Sequence, residues 1–315
     1  MKISYVGNDA GWINYDKAIE VADLISNIRP TQDNYVNPDY YPPIELDLEI
    51  QAMYFMAMVA IDHRLNIPGH PFEATIDGKR YVGSDLLWRL GAEKLRDDAS
   101  FFTPGRLAKL KPSDVKDWLG DVWDYGVRAF LLSDLGVKVA SLFNNSALNA
   151  LRSTGGRLLG PGGLIELMRN FTAYTDPVEK KTYLLAKFIH GRGIIKFTDV
   201  NNAQVAVDNH LTRIAIRLGL VELSQRFINM INNNISFTPN DDVNLRSLIR
   251  DSWKIVSMNS HVDAFSLDDY LWNLGRSTCI RDKPNCGKCQ LRSACNAYRS
   301  GIFTNEHQFY STFWY

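Results

Sequence analysis

Cys279, Cys286, Cys289 and Cys295 are the only four cysteines of the chain, and six, two and five residues separate them. Thiolates this close in sequence converge on one soft metal centre, whereas disulfides that staple a fold join distant segments of secreted chains. Four-cysteine zinc sites usually carry two separated CxxC pairs. Only Cys286 and Cys289 form such a pair here, so the spacing favours an iron–sulfur cluster over zinc. Arg276, Arg281, Lys283, Lys288 and Arg292 surround the cysteines. They make a local positive surface suited to phosphate, and they would equally balance the charge of a thiolate cluster.

Other residues with chemical potential lie upstream. Asp208 stands where a helix cap belongs, before Leu211, Ile214, Ala215 and Leu218 at helical spacing and Gly219 as a left-handed stop. Capping alone is the commoner fate of such an Asp. His210 is close enough in sequence to orient a substrate or phosphate, although a structural histidine is the blander reading. Asp62, His63 and Arg64 end an apolar segment, either as functional groups or as residues suited to a helix C-terminus. Tyr174, Trp253 and Trp272 are candidates to stack on a base, against the commoner role of core aromatics.

These residues need a helical scaffold, and the pattern supplies one. Apolar residues recur at helical spacing in segments bounded by Gly, Pro and Asn, which predicts an all-α protein. The expected elements are a long buried helix over 44–65 and helices over 84–96, 112–118, 146–151, 162–171, 241–258 and 267–275. Asp176, Pro177 and Glu179 predict a capping box that opens a further helix. The Asn-rich stretch 229–240 is expected to be a loop, and 1–43 and 301–315 are poorly periodic. The expected organisation is an N-terminal extension over 1–43, a helical core of two lobes over 44–300 that includes the cysteine loop at 276–298, and a tail over 301–315.

Of 315 residues, 45% are hydrophobic and 22% charged, an ordinary globular composition. With 35 basic and 35 acidic residues, no global positive field exists, and attraction to nucleic acid must come from local patches. No apolar run is long enough to span a membrane and the start lacks a signal-peptide pattern, so a cytoplasmic protein is expected. No obligate protein partner is inferred.

The stretch LWNLGRSTCIRDKPNCGKCQLRSAC resembles the iron–sulfur loop of the endonuclease III and adenine glycosylase family. That resemblance implies the helix-hairpin-helix glycosylase fold, with an active-site cleft between two helical lobes, a 4Fe-4S cofactor and DNA as partner. AVDNHLTRIAIRLGLV is similar to the family's catalytic segment and aligns its Asp with Asp208. There a carboxylate would stabilise the sugar cation and activate water. PVEKKT aligns with the family's hairpin and puts its Schiff-base lysine at Lys181, which otherwise reads as a solvated helix residue. The hairpin's two glycines are replaced by Pro177 and Glu179, which weakens the usual phosphate grip and leaves lyase activity open.

A second resemblance runs through YVGSDLLWRLGAEKL, FNNSALNALRSTGGRLLGPGGLIELMRNFTAYTD and KKTYLLAKFIHGRG, which look like the queuosine 5′-phosphate hydrolases. The expected activity is therefore excision of an unusual or hypermodified base from DNA, as could restrict phage with altered DNA. The alternatives are release of a modified base from a nucleoside monophosphate and a base-modifying transferase on the same fold.

Overall fold

The structure, a computed structural model, describes residues 6–315. β1 (Gly7–Asn8) and β2 (Gly11–Ile13) form a short hairpin that leads into α1 (Tyr15–Ile28). The side chain of Asn14 caps α1 by accepting from Lys17 N, and Ala18, Val21, Ala22 and Ile25 bury one face. α2 (Leu48–Ala60) is buried from Gln51 to Ala60, as a central helix must be. The hairpin of β3 (Glu73–Ile76) and β4 (Lys79–Val82) separates it from α3 (Ser84–Asp97).

Four helices continue the chain: α4 (Pro104–Leu107), α5 (Pro112–Leu119), α6 (Tyr125–Leu142) and α7 (Ala147–Arg152). The short α8 (Leu164–Met168) precedes α9 (Lys180–Gly191). α10 (Asn209–Leu218) follows and runs into β5 (Val221–Leu223), which pairs antiparallel with β2. Last come α11 (Gln225–Asn232), α12 (Pro239–Ser260), α13 (Ala264–Ser277) and α14 (Asn296–Ser300).

Two compact units result. The first joins the described residues up to Asp33 with Ala203–Tyr310; the second joins Asn34–Asn202 with Ser311–Tyr315. In the first unit α1 lies along α12, and α10 packs on α12 and α13. Trp253 of α12 is fully buried there and its Nε1 donates to Leu211 O at 3.3 Å. In the second unit α2 is the core, packed by α6, α7 and α9. An aromatic cluster of Tyr41, Phe55, Trp88 and Phe188 covers one side of it. Among the described residues no helix is long and apolar enough to cross a membrane.

The all-α expectation holds, and several boundaries move. α2 starts at Leu48 rather than 44 because Asp47 caps it, accepting from Glu49 N, and it stops at Ala60. Asp62, His63 and Arg64 therefore lie beyond the helix end rather than in it. The helix expected over 162–171 is only α8. The stretch 229–240 is not one loop. α11 runs through Asn232 because Phe227, Met230 and Ile231 bury one face, which outweighs the low helix propensity of asparagine. α12 then opens on a capping box of Thr238 and Asp241. Residues 15–28, read as poorly periodic, form the amphipathic α1, and they pack with the first unit.

Candidate active site

Asp208 is the N-cap of α10, as expected: its Oδ1 accepts from Leu211 N at 3.0 Å, and Gly219, at φ 88°, closes the far end. Leu211, Ile214, Ala215 and Leu218 are all buried. Upstream of the cap, Asp268 of α13 accepts from Ala206 N at 2.7 Å and fixes the entering chain. His210 stacks its Cβ against Gly275, where an added Cβ would come within 2.7 Å. Burial holds the His210 imidazole below its ordinary pKa, against the pull of Asp208 and with Arg213 acting in the same direction as burial.

The polar side of α10 does unexpected work. Arg213 and Arg217, four residues apart, are both buried and grip the backbone around the cysteines. Arg213 donates to Cys279 O at 2.9 Å and Gly275 O at 2.7 Å, and pairs with Glu306. Arg217 donates to Ile280 O at 2.8 Å and Arg281 O at 2.6 Å. From the other side of the loop, the Cys295 thiol donates to Arg217 O at 3.2 Å. Two arginines four apart on α10 were the available signal, and the sequence reading passed over them.

Cys279, Cys286 and Cys289 are half-buried and Cys295 is buried, all as free thiols. Burial raises the pKa of Cys286, Cys289 and Cys295, that of Cys289 to about 11, and in each case neighbouring cysteines add to the rise. The four soft donors belong to one loop and are near enough to act on one another's charge, and the chemistry of that donor set suits an iron–sulfur cluster. Among the described residues, no three His, Cys, Asp or Glu side chains are placed to hold a single metal ion.

Around this loop Arg281, Lys283, Lys288 and Arg292 are exposed. Arg281 pairs with its neighbour Asp282 at 3.0 Å and Arg292 donates to Gly287 O at 3.1 Å. Arg276 lies over the ring of Trp272 at 4.2 Å from its centroid, which ties both to one another. Tyr174 and Trp253 are core residues; the Tyr174 hydroxyl donates to Met56 O at 2.7 Å.

In the second unit the chain leaving α2 is clamped by basic side chains. Lys181 Nζ donates to Ala60 O at 2.5 Å, Lys180 Nζ to Asp62 O at 3.2 Å, and Arg128 to Ile61 O and, at 2.6 Å, to His63 O. A helix C-terminus carries unpaired carbonyls and partial negative charge, so buried cations are favourable there. Lys181 is fully buried rather than solvated. Desolvation, with Lys180 and Arg128 adding to it, pushes its amine well below the usual lysine range. Lys181 also meets His63 Nδ1 at 3.2 Å.

The depressed pKa of Lys181 has a stability consequence. Its folded pKa lies below the unfolded value of 10.5, so the unfolded chain binds the extra proton in the interval between them. The stability of the protein relative to Lys181→Met should rise with pH from neutrality up to that value. Denaturant titrations of both at several pH values would show it, and a flat difference would place a charged amine in the core.

The helix expected after Asp176 begins at Lys180, three residues later than the capping-box reading of Asp176 implies. Asp176 still accepts backbone protons, from Val178 N at 3.0 Å and Lys180 N at 2.9 Å, but the residues between form a turn. Glu179 closes that turn at φ 64°, the left-handed region natural to glycine. Glu179→Gly should be more stable than Glu179→Ala by about 1 kcal/mol, since both lose the pair with Arg169 and only Ala keeps the strain. Thermal denaturation of the two variants checks this.

No family model matches the chain. It is similar to Protein ROS1A of Oryza sativa subsp. japonica, 24% identical over 164 residues, covering 50% of this chain and 8% of that protein. It is also similar to DEMETER-like protein 2 of Arabidopsis thaliana, 25% identical over 162 residues, covering 50% of this chain and 12% of that one. The chain thus spans about a tenth of the length of these relatives. Among solved structures it is similar to a trapped endonuclease III–DNA covalent intermediate, with a TM-score of 0.50 and 12% identity, over 92% of this chain and 99% of that one.

The fold is that of endonuclease III. On this helix-hairpin-helix glycosylase fold, the segments quoted for the resemblance map onto α10, the cysteine loop and the turn before α9.

Proposed function

We propose that the chain is a DNA N-glycosylase that excises a modified base by hydrolysis. The observation that carries this is Asp208 at the head of a helix whose arginines are seated in the cysteine loop. In this reading the N-glycosidic bond breaks with its electron pair leaving on the base. The Asp208 carboxylate stabilises the sugar cation and takes the proton of the water that attacks it. Cys279, Cys286, Cys289 and Cys295 would hold a 4Fe-4S cluster, which supplies a covalent cross-link for the loop. Lys283 and Lys288, exposed beside it, are suited to phosphate contacts. The overall charge balance and the turn built on Pro177 and Glu179 suit a chosen, unusual base better than indiscriminate duplex binding.

Lys181 has the depressed amine pKa that favours a Schiff-base nucleophile, yet it is fully buried with its protons committed to Ala60 O and His63. A monofunctional enzyme is the consequence. The test is to incubate the iron-loaded protein with oligonucleotides of varied modified bases and with modified nucleoside monophosphates, with and without borohydride. Released base and accumulating abasic sites without a trapped adduct support the proposal. Release from monophosphates alone would replace it by nucleotide hydrolysis, and a borohydride adduct would give Lys181 the lyase role. Visible absorbance with iron and sulfide near four each per chain tests the cluster.

A further inference from the structure

Arg217 of α10 is 3% exposed, and its guanidinium faces the cysteine loop. Besides the carbonyls of Ile280 and Arg281, its Nη1 meets Cys279 Sγ at 3.5 Å. Its Nε is buried and has no hydrogen-bond partner among the described residues. No carboxylate of those residues pairs with it, unlike Arg213, whose charge Glu306 offsets. Asp282 feels the charge of Arg217, yet that side chain is exposed and paired with Arg281. On another side the Phe303 ring centre lies 5.6 Å from Arg217 Cζ. Arg217 is thus a buried positive charge with one cysteine sulfur in reach, one idle donor and no partner acid. Burying such a charge is costly unless an anion lies against it.

We propose that Arg217 is the counter-ion of the iron–sulfur cluster and sets its reduction potential, by donating an N–H hydrogen bond to the Cys279 thiolate. The proposal rests on the cluster reading of the four cysteines and deepens it. A cluster held by four thiolates is anionic overall, and an added electron makes it more so. A buried cation bonded to a ligand sulfur stabilises the electron-rich state more than the electron-poor one, and so raises the potential. At Cys286 burial and Cys279 push the thiol pKa up while Arg217 pulls it down, so the charge of Arg217 reaches a second ligand as well. Lys283 and Lys288 are exposed on the same loop, where solvent screens them.

Arg217 also holds the loop through Ile280 O and Arg281 O, and the sign of the effect separates the two roles. A loosened loop admits water, which solvates the more negative state better and raises the potential. Loss of the sulfur hydrogen bond and its charge lowers it. A fall on truncating Arg217 therefore reports the electrostatic role, and a rise reports the mechanical one.

Redox titration of the full chain loaded with iron and sulfide decides it, with electrode mediators supplying the electron and visible absorbance following the cluster. Arg217→Met should make the one-electron reduction at least tenfold less favourable, a fall of about 59 mV or more. Arg217→Lys, which keeps the charge without the planar fork, should fall by less. Lys283→Met, which removes an exposed charge from the same loop, should leave the potential near that of the parent. An unchanged or raised potential in Arg217→Met would overturn the proposal. If that variant loses its iron, Arg217→Lys carries the test on the same readings. Loss of the cluster from both would make Arg217 a holder of the loop only and overturn the tuning role. Metal analysis of the parent keeps the two claims apart: zinc without sulfide would remove the cluster reading and this proposal with it, whereas a full cluster whose potential ignores Arg217 removes the proposal alone.

Discussion

Asp208→Asn should keep the helix and lose the reaction. The cap of α10 uses a single oxygen, Oδ1, accepting from Leu211 N, and an asparagine amide oxygen is as good a cap as a carboxylate. The thermal midpoint and the cluster absorbance should therefore stay near those of the parent. Base release should fall by 10³-fold or more, on the order of what a positioned general base contributes, because an amide can neither take the proton of water nor offset a sugar cation. Asp208→Ala removes both roles and should add a stability loss of about 1 kcal/mol. An Asn variant with normal turnover would make Asp208 a cap only.

Arg213→Met should give the largest loss of stability. Its guanidinium is almost wholly buried and joins Gly275 O, Cys279 O and the carboxylate of Glu306. Methionine fills much of the space, yet it leaves two backbone acceptors and one acid without a donor. Removing one partner of a buried pair costs about 3–5 kcal/mol, and the lower end applies because Glu306 keeps some contact with solvent. Urea unfolding should show this, together with weaker retention of iron. A loss below 1 kcal/mol would mean that the loop holds its shape without α10.

What the sequence could show depended on how local the cause was. The start, core face and stop of α10 were legible, because Asp208, the four apolar residues and Gly219 lie within one segment and each acts on its neighbours. The grouping of the four cysteines in one loop was legible for the same reason. The turn at 176–179 was not, because Asp176 takes backbone protons in a turn just as it would in a helix cap. α11 was hidden by its asparagines, whose poor propensity is overruled by three buried residues. Least legible were contacts made across the fold. Arg128, Lys181 and His63 come from three separate segments, and nothing near any of them announces the other two. A lone arginine in the apolar helix α6 was the faint sign.

The pairing of α1 with α12 has a bearing on how the protein is made. α1 leaves the ribosome well before α12, the helix that covers its apolar face, which begins at Pro239. At the usual 5–20 residues per second, α1 waits roughly 10–45 s for that partner. Residues 34–202 are all available in that interval, and nearly the whole second unit can assemble while the first is still missing its larger part. Vectorial synthesis thus imposes an order on assembly: the clamp around His63 can form early, and the helix bearing Asp208 finds its seat only once the cysteines have emerged.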